Sequence, residues 1–133
     1  MSQENVEVVR RVFNEMERGN FRIAEYLDPK VHVTWVNPIY GDSGGDSHGI
    51  REVAEGLLAL FEALGDVTWT AEQIIDAGDR VVTVESWRAR GKASGADTEA
   101  RQASVWNISD GKITRIVGYA DPAEALEAAG LRE

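Results

Sequence analysis

The chain contains no cysteine, and its 133 residues include only two histidines and three prolines. Without cysteine, disulfides, thiolate nucleophiles and cysteine-based zinc sites are excluded. A chain of this size that needs no disulfide fits a reducing compartment, so a cytoplasmic location is expected. His32 and His48 are too few and too poorly spaced for a metal site, and no metal or cofactor is expected. No apolar run approaches the roughly 20 residues of a membrane span. The opening Met1-Ser2-Gln3-Glu4-Asn5 is polar, with no basic stretch leading into an apolar one, so no signal peptide is read there. Positive charge is also scarce, with 14 Lys and Arg against 23 Asp and Glu, a formal net charge of −9. Such a surface repels phosphate backbones and anionic bilayers, which argues against nucleic acid and membranes as partners. It does not oppose a neutral ligand in a pocket.

The length suits one domain with one core, read as residues 1–133 without a linker or repeat. Val6, Val9, Phe13 and Met16 recur at helical spacing behind a capping Ser2. Gly19 ends that helix, and Asn20 caps a short second one carrying Phe21, Ala24 and Leu27. Asp28-Pro29 signals a turn, and Val31 to Val36 reads as a strand. Asn37 to Gly49 is rich in Gly, Asp, Ser and Pro and reads as a surface loop or flap. Ile50, Val53, Ala54, Leu57, Phe61 and Leu64 then mark a third amphipathic helix. The period changes afterwards. Val67 to Ile75, Arg80 to Arg90, Thr98 to Ser109 and Lys112 to Tyr119 read as strands. Asp121-Pro122-Ala123-Glu124 opens a last helix, with Asp121 as N-cap and Pro122 at the first helical position. Helices first and a meander afterwards predict an α+β fold, a curved antiparallel sheet against the N-terminal helices.

Asp110-Gly111 is the strongest hairpin signal, because both residues tolerate the positive φ of a type I′ turn. A regular two-residue hairpin sets Trp106 opposite Arg115, Ser104 opposite Val117 and Gln102 opposite Tyr119. One face then carries Trp106, Ser104, Gln102, Arg115, Val117 and Tyr119. The other carries Val105, Ala103, Thr114, Ile116 and Gly118. The mixed aromatic and polar face suits a ligand cavity, and the smooth one suits contact with a second subunit. Equally, Trp106 is plain core with Arg115 stacked on it.

Order and markers together resemble the SnoaL-like branch of the nuclear-transport-factor-two-like superfamily. The resemblance is carried by Val6 to Phe13 followed by Arg18-Gly19-Asn20-Phe21; by Leu27-Asp28-Pro29; by His48 to Val53; by Asp76 to Val82; by Val105 to Ile113; and by the tail Tyr119 to Leu131. It implies a cone-shaped, cystatin-like roll with a deep pocket, commonly in a homodimer. Similar folds serve as cyclases, isomerases, dehydratases, epoxide hydrolases and plain binding domains, so fold does not choose among them.

The chemistry is less marked. SnoaL-type cyclases are expected to carry an acid near the end of the last strand and a histidine on its hairpin partner. Val117, Gly118, Tyr119 and Ala120 offer no acid, and Ser104 stands where the histidine belongs. An epoxide hydrolase of this fold needs two carboxylates about an arginine; Arg88 or Arg115 offers the cation without the pair. Glu85 is the one acid inside an apolar strand run, grouped by alternation with Val81, Thr83 and Trp87. Buried, it becomes a general-base candidate with a raised pKa; otherwise it is an edge or dimer-interface carboxylate paired with an arginine. Gly41-Asp42-Ser43-Gly44-Gly45 matches a serine-nucleophile pattern but lacks a strand–turn–helix elbow and a histidine base, so it reads as part of the flap. His48 is either a ligand contact or a capping residue, and Trp35 and Tyr40 are cavity wall or core. The sequence thus predicts a small-molecule-binding domain for a hydrophobic ligand, homodimeric and cofactor-free. Its ligand contacts are drawn from Trp35, Tyr40, His48, Ser104, Trp106, Arg115 and Tyr119. The alternative is a cofactor-independent enzyme of isomerase, cyclase, dehydratase or epoxide hydrolase type acting on a hydrophobic metabolite.

Overall fold

Alternation in the second half of the chain builds one large sheet, and the amphipathic first half supplies its cover. The computed structural model describes residues 2–18, 23–35, 45–64, 66–90 and 97–130. The elements are α1 (Ser2–Glu17), a 3-10 turn (Ala24–Tyr26), β1 (Leu27–Trp35), β2 (Gly45–His48), α2 (Gly49–Leu64), β3 (Asp66–Asp76), β4 (Arg80–Arg90), β5 (Asp97–Ser109), β6 (Lys112–Tyr119) and α3 (Pro122–Ala128). The six strands run in the order β2-β1-β6-β5-β4-β3. The β1–β6 pair is parallel and the other pairs are antiparallel, so the sheet is mixed rather than wholly antiparallel.

On the inner face, α1 lies across β3 and β4 while α2 rests on β1. Val9, Val12, Phe13 and Met16 are the buried stripe of α1, and they meet Val31, Val33, Trp69, Val81, Trp106 and Ile116. On the outer face, Val82, Ala103 and Val105 are covered by Ala125 of α3 and by Ala129, which caps it. The chain's own C-terminal helix therefore covers part of the smooth face assigned above to a second subunit. Asp121 accepts a hydrogen bond from the Ala123 amide at 2.9 Å, the cap expected there.

Two local expectations change. Gly45 to His48 of the presumed loop form an edge strand, pairing Asp46 with Thr34 and His48 with His32; a polar, glycine-flanked segment hides its strand character because neither side chains nor neighbours supply an apolar face. Asp28 and Pro29 lie within β1 rather than ending an element, and the register is irregular between Leu27 and His32. Asp28 accepts from the Lys30 amide at 2.8 Å, a local turn folded into the strand. Val36, expected to end the strand, and flap residues 37–44, including Tyr40 and Ser43, lie outside the described residues, as do Gly19, Asn20 and Phe21.

The hairpin register is a larger correction. Asp110 and Gly111 adopt φ of 52° and 77°, as the tight turn requires. Ser109 faces Lys112 and Ile108 faces Ile113, but Asn107 then faces Arg115 and Trp106 faces Ile116. Thr114 is an extra residue on β6, a β-bulge, with its hydroxyl donating to the Asn107 carbonyl at 3.2 Å. Beyond it every β6 side chain changes sides. Ile116 and Gly118 join Trp106 and Ser104 within; Arg115, Val117 and Tyr119 join Ala103 and Val105 outside.

Candidate functional site

Strand β4 alternates Val81, Thr83, Glu85, Trp87 and Ala89 toward the helices and Val82, Val84, Ser86 and Arg88 away from them. Glu85 is thereby placed on the inner face, paired with Ala71 of β3 and Gln102 of β5. It is 1% exposed. Its Oε1 accepts from Trp69 Nε1 at 2.7 Å and Gln102 Nε2 at 3.2 Å, and its Oε2 accepts from Thr83 Oγ1 at 2.6 Å. Ser104 adds a further side-chain hydrogen bond. Thr83 Oγ1 in turn accepts from Trp106 Nε1 at 2.9 Å. The edge-carboxylate reading, with a paired arginine, is thus replaced by a buried carboxylate held by neutral donors. Loss of water around it pushes the carboxyl above the ordinary glutamate range; the hydrogen bonds of Ser104, Thr83, Trp69 and Gln102 oppose that displacement without cancelling it.

Glu85 and Ser104 are the two polar residues among those lining an interior cavity of about 40 Å³, whose exposed wall is apolar. Trp69, Trp106 and Phe13 supply aromatic wall, and Val53 and Leu57 of α2 close the far side. Phe13 meets Trp106 edge-on, with ring centroids 5.8 Å apart and planes at 70°. This volume holds on the order of two or three waters, whereas an organic ligand needs roughly 300 Å³ or more. Binding one requires the cavity to widen. The arrangement sets a single carboxylate in apolar surroundings, with neutral donors fixed around it.

Of the residues singled out from sequence, Ser104 and Trp106 meet at this cavity. Arg115 and His48 meet elsewhere, on the outer face at the β2–β1–β6 edge. There the Arg115 guanidinium donates to His32 Nδ1, and to Thr34 Oγ1 at 3.4 Å. Since arginine can only donate, His32 carries its hydrogen on Nε2, which donates to Asp46 Oδ1 at 2.9 Å. Thr34 Oγ1 donates to the same oxygen at 2.6 Å. The His48 ring stacks on His32 at 4.1 Å. Asp46 is held below the usual carboxylate range, first by the Thr34 hydroxyl and then by His32. Tyr119 packs on the outer cluster under α3. Trp35 pairs through its backbone with Gly118 and Gly45; its side chain, like Tyr40, lies outside the description.

Sequence reasoning missed two things. The Trp69–Glu85–Gln102 bonding was hidden because the register across the 91–96 connection has no turn signature. The outer cluster was hidden because β2 was unrecognised, although His32/Thr34 and Asp46/His48 both show the two-residue spacing of a shared strand face. Among the described residues no group of three His, Asp or Glu side chains is arranged to hold a metal ion, and no helix is long and apolar enough to cross a membrane.

A family model for the SnoaL-like domain matches residues 9–116. No curated protein matches the chain. Similar solved structures include an NTF2-like protein of unknown function from Burkholderia pseudomallei, 21% identical, with a TM-score of 0.77 over 93% of this chain and 95% of that one. TerC, co-crystallised with polyporic acid, is also 21% identical, with a TM-score of 0.77 over 96% and 98% of the two chains. A putative SnoaL-like polyketide cyclase from Jannaschia sp. is 18% identical, with a TM-score of 0.75 over 99% and 95%. These structural likenesses carry the fold alone, but the family match covers most of the chain: the protein belongs to the SnoaL-like family.

Proposed function

We propose that this protein binds a small, largely apolar molecule in the cavity between α1, α2 and the sheet, and exchanges a proton with it at Glu85 without a cofactor. The observation that carries this reading is a carboxylate buried in the cavity wall among neutral partners, with a raised pKa and, among the described residues, no cation bonded to it. Such a group holds its proton to higher pH than an exposed glutamate does, which suits it to exchange one with a ligand. Ser104 and Trp106 are the further ligand contacts. A similar fold is known with an organic molecule, polyporic acid, in TerC. A homodimer belongs to the same reading, formed through the outer sheet surface that α3 leaves open. There Arg88 pairs with Glu99, and Arg101 with Glu72 at 2.8 Å.

The test uses 2-tetralone, a small aromatic ketone with acidic carbon-bound protons, in D2O. Wild-type protein is expected to accelerate deuterium uptake next to the carbonyl, and Glu85→Gln to lose at least about tenfold of that acceleration, the low end of acid–base contributions. Equal rates in both proteins would sink the acid–base reading. A second reading, binding without chemistry, is favoured by the saturation of Glu85: its partners are all donors, so an ion there is fully satisfied as structure. Saturable quenching of tryptophan fluorescence by 2-tetralone, unchanged in Glu85→Gln and without deuterium uptake, would select it.

A further inference from the structure

We infer that Thr83 is a positioning residue that assigns the exchangeable proton to Oε2 of Glu85, donating to the ionised carboxylate and accepting from the neutral acid. The inference rests on the acid–base reading of Glu85 and names the oxygen that does the exchange. Oε1 faces Trp69 Nε1 at 2.7 Å and Gln102 Nε2 at 3.2 Å. An indole N–H has no acceptor capacity, so a proton on Oε1 would confront a donor; the Ser104 hydroxyl also bonds the carboxyl and favours its ionised form. Oε2 faces the Thr83 hydroxyl at 2.6 Å, which has one hydrogen and two lone pairs. Trp106 Nε1 fills one lone pair from 2.9 Å. One hydrogen and one lone pair remain, which are what the two states of Glu85 require. With Glu85 ionised, Thr83 O–H points to Oε2. With Glu85 neutral, Oε2–H points to Thr83 Oγ1 and the threonine hydrogen turns away.

Thr83, Glu85 and Ser104 are at most 1% exposed, so bulk water does not substitute for the hydroxyl. Around Glu85 the contacts come from Trp69 of β3, Thr83 of its own strand, and Gln102 and Ser104 of β5. The cavity walls from α1, α2, β1 and β6 carry no charged side chain. The proton state of Glu85 is therefore answered inside this cluster. Trp106 is bonded to Thr83, whereas Trp69 is bonded to Glu85 itself.

The experiment is a pH titration of the ¹⁵N-labelled full chain, reading the indole signals of Trp69 and Trp106 between about pH 4 and about pH 9. Both signals are expected to move with one shared midpoint, and both to be flat in Glu85→Gln. In Thr83→Val the Trp69 midpoint should rise, because the charge-assisted hydrogen bond lost from the ionised form is stronger than the one lost from the neutral acid, and Trp106 should fall silent. Thr83→Ser should restore the wild-type pattern. A merely structural threonine would change stability and leave the midpoint in place. Trp106 silent in the wild type while Trp69 titrates overturns the inference, as does a titration in which neither moves; both are read without any variant having to fold. The two failures are distinct. Coupled indoles with deuterium uptake unchanged in Glu85→Gln would remove the catalytic reading and keep the proton placement. Lost uptake with a silent Trp106 would do the reverse.

Discussion

Two carboxylates on opposite faces of one sheet are pushed in opposite directions. Glu85, on the inner face, is enclosed by apolar wall and neutral donors, and burial drives its proton affinity up. Asp46, on the outer edge, is open to solvent and bonded to Thr34 and His32, and its affinity goes down. Both accept short hydrogen bonds from a threonine two residues or one strand away, 2.6 Å in each case. Hydrogen bonding therefore does not separate them; water does. The inner face raises the proton affinity of an ordinary acid, while the outer face makes an ordinary acid an anchor for the edge strand.

Removing the inner wall should have the largest effect. Trp106 is 5% exposed, packs edge-on against Phe13 and bonds Thr83. Trp106→Ala should cost about 3–5 kcal/mol, read as a lowered denaturant midpoint at unchanged slope. A loss below about 1 kcal/mol would mean that the inner face is not the packed core.

The next effect concerns pH. Glu85 binds its proton more readily folded than unfolded, so between the ordinary glutamate range and its raised folded value the native state holds more protons. Stability from this group is therefore highest below that range and falls as pH rises through the folded value, by about 1.4 kcal/mol for each unit of displacement. Urea midpoints should drop from about pH 5 to about pH 8 in the wild type and drop less in Glu85→Gln. A difference between the two proteins that is the same at both ends would remove the buried-acid description.

The smallest effect belongs to the outer face, and its sign is reversed. Asp46 contributes while ionised, and its contribution is lost as pH falls through its lowered value. In Asp46→Asn, the amides of β1 and β2 should exchange faster at neutral pH, while the global midpoint should not measurably move, as expected for an exposed ion pair. A global loss as large as that of Trp106→Ala would erase the contrast between the faces.

Much of the architecture was legible because period and capping agree with packing. The stripe Val9, Val12, Phe13 and Met16, the limits of β4, and the Asp121 cap all follow from local rules. The grouping of Glu85 with Val81, Thr83 and Trp87 on one side of β4 also follows from alternation, but not which way that side faces. What could not be read was long-range register. Nothing local marks Thr114 as an extra residue, yet it sends Arg115 and Tyr119 to the side away from Trp106. Likewise Glu85 stood out as the single acid in an apolar strand, but only its pairing with Trp69, Gln102 and Thr83 shows that it is satisfied without an arginine.

The parallel pairing of β1 with β6 also has a consequence for synthesis. His32 to Trp35 find their partners in Arg115 to Gly118, more than eighty residues later. As the chain leaves the ribosome, β1 and β2 can meet each other but have no sheet to join until nearly the whole domain has been made. During that interval the apolar sides of α1 and β1 have no cover from the sheet, and long-range pairings of this kind form late and slowly. A chain stopped before Lys112 would lose the strand that joins its two halves, leaving β1–β2 and β3–β5 as separate pieces rather than one shortened sheet.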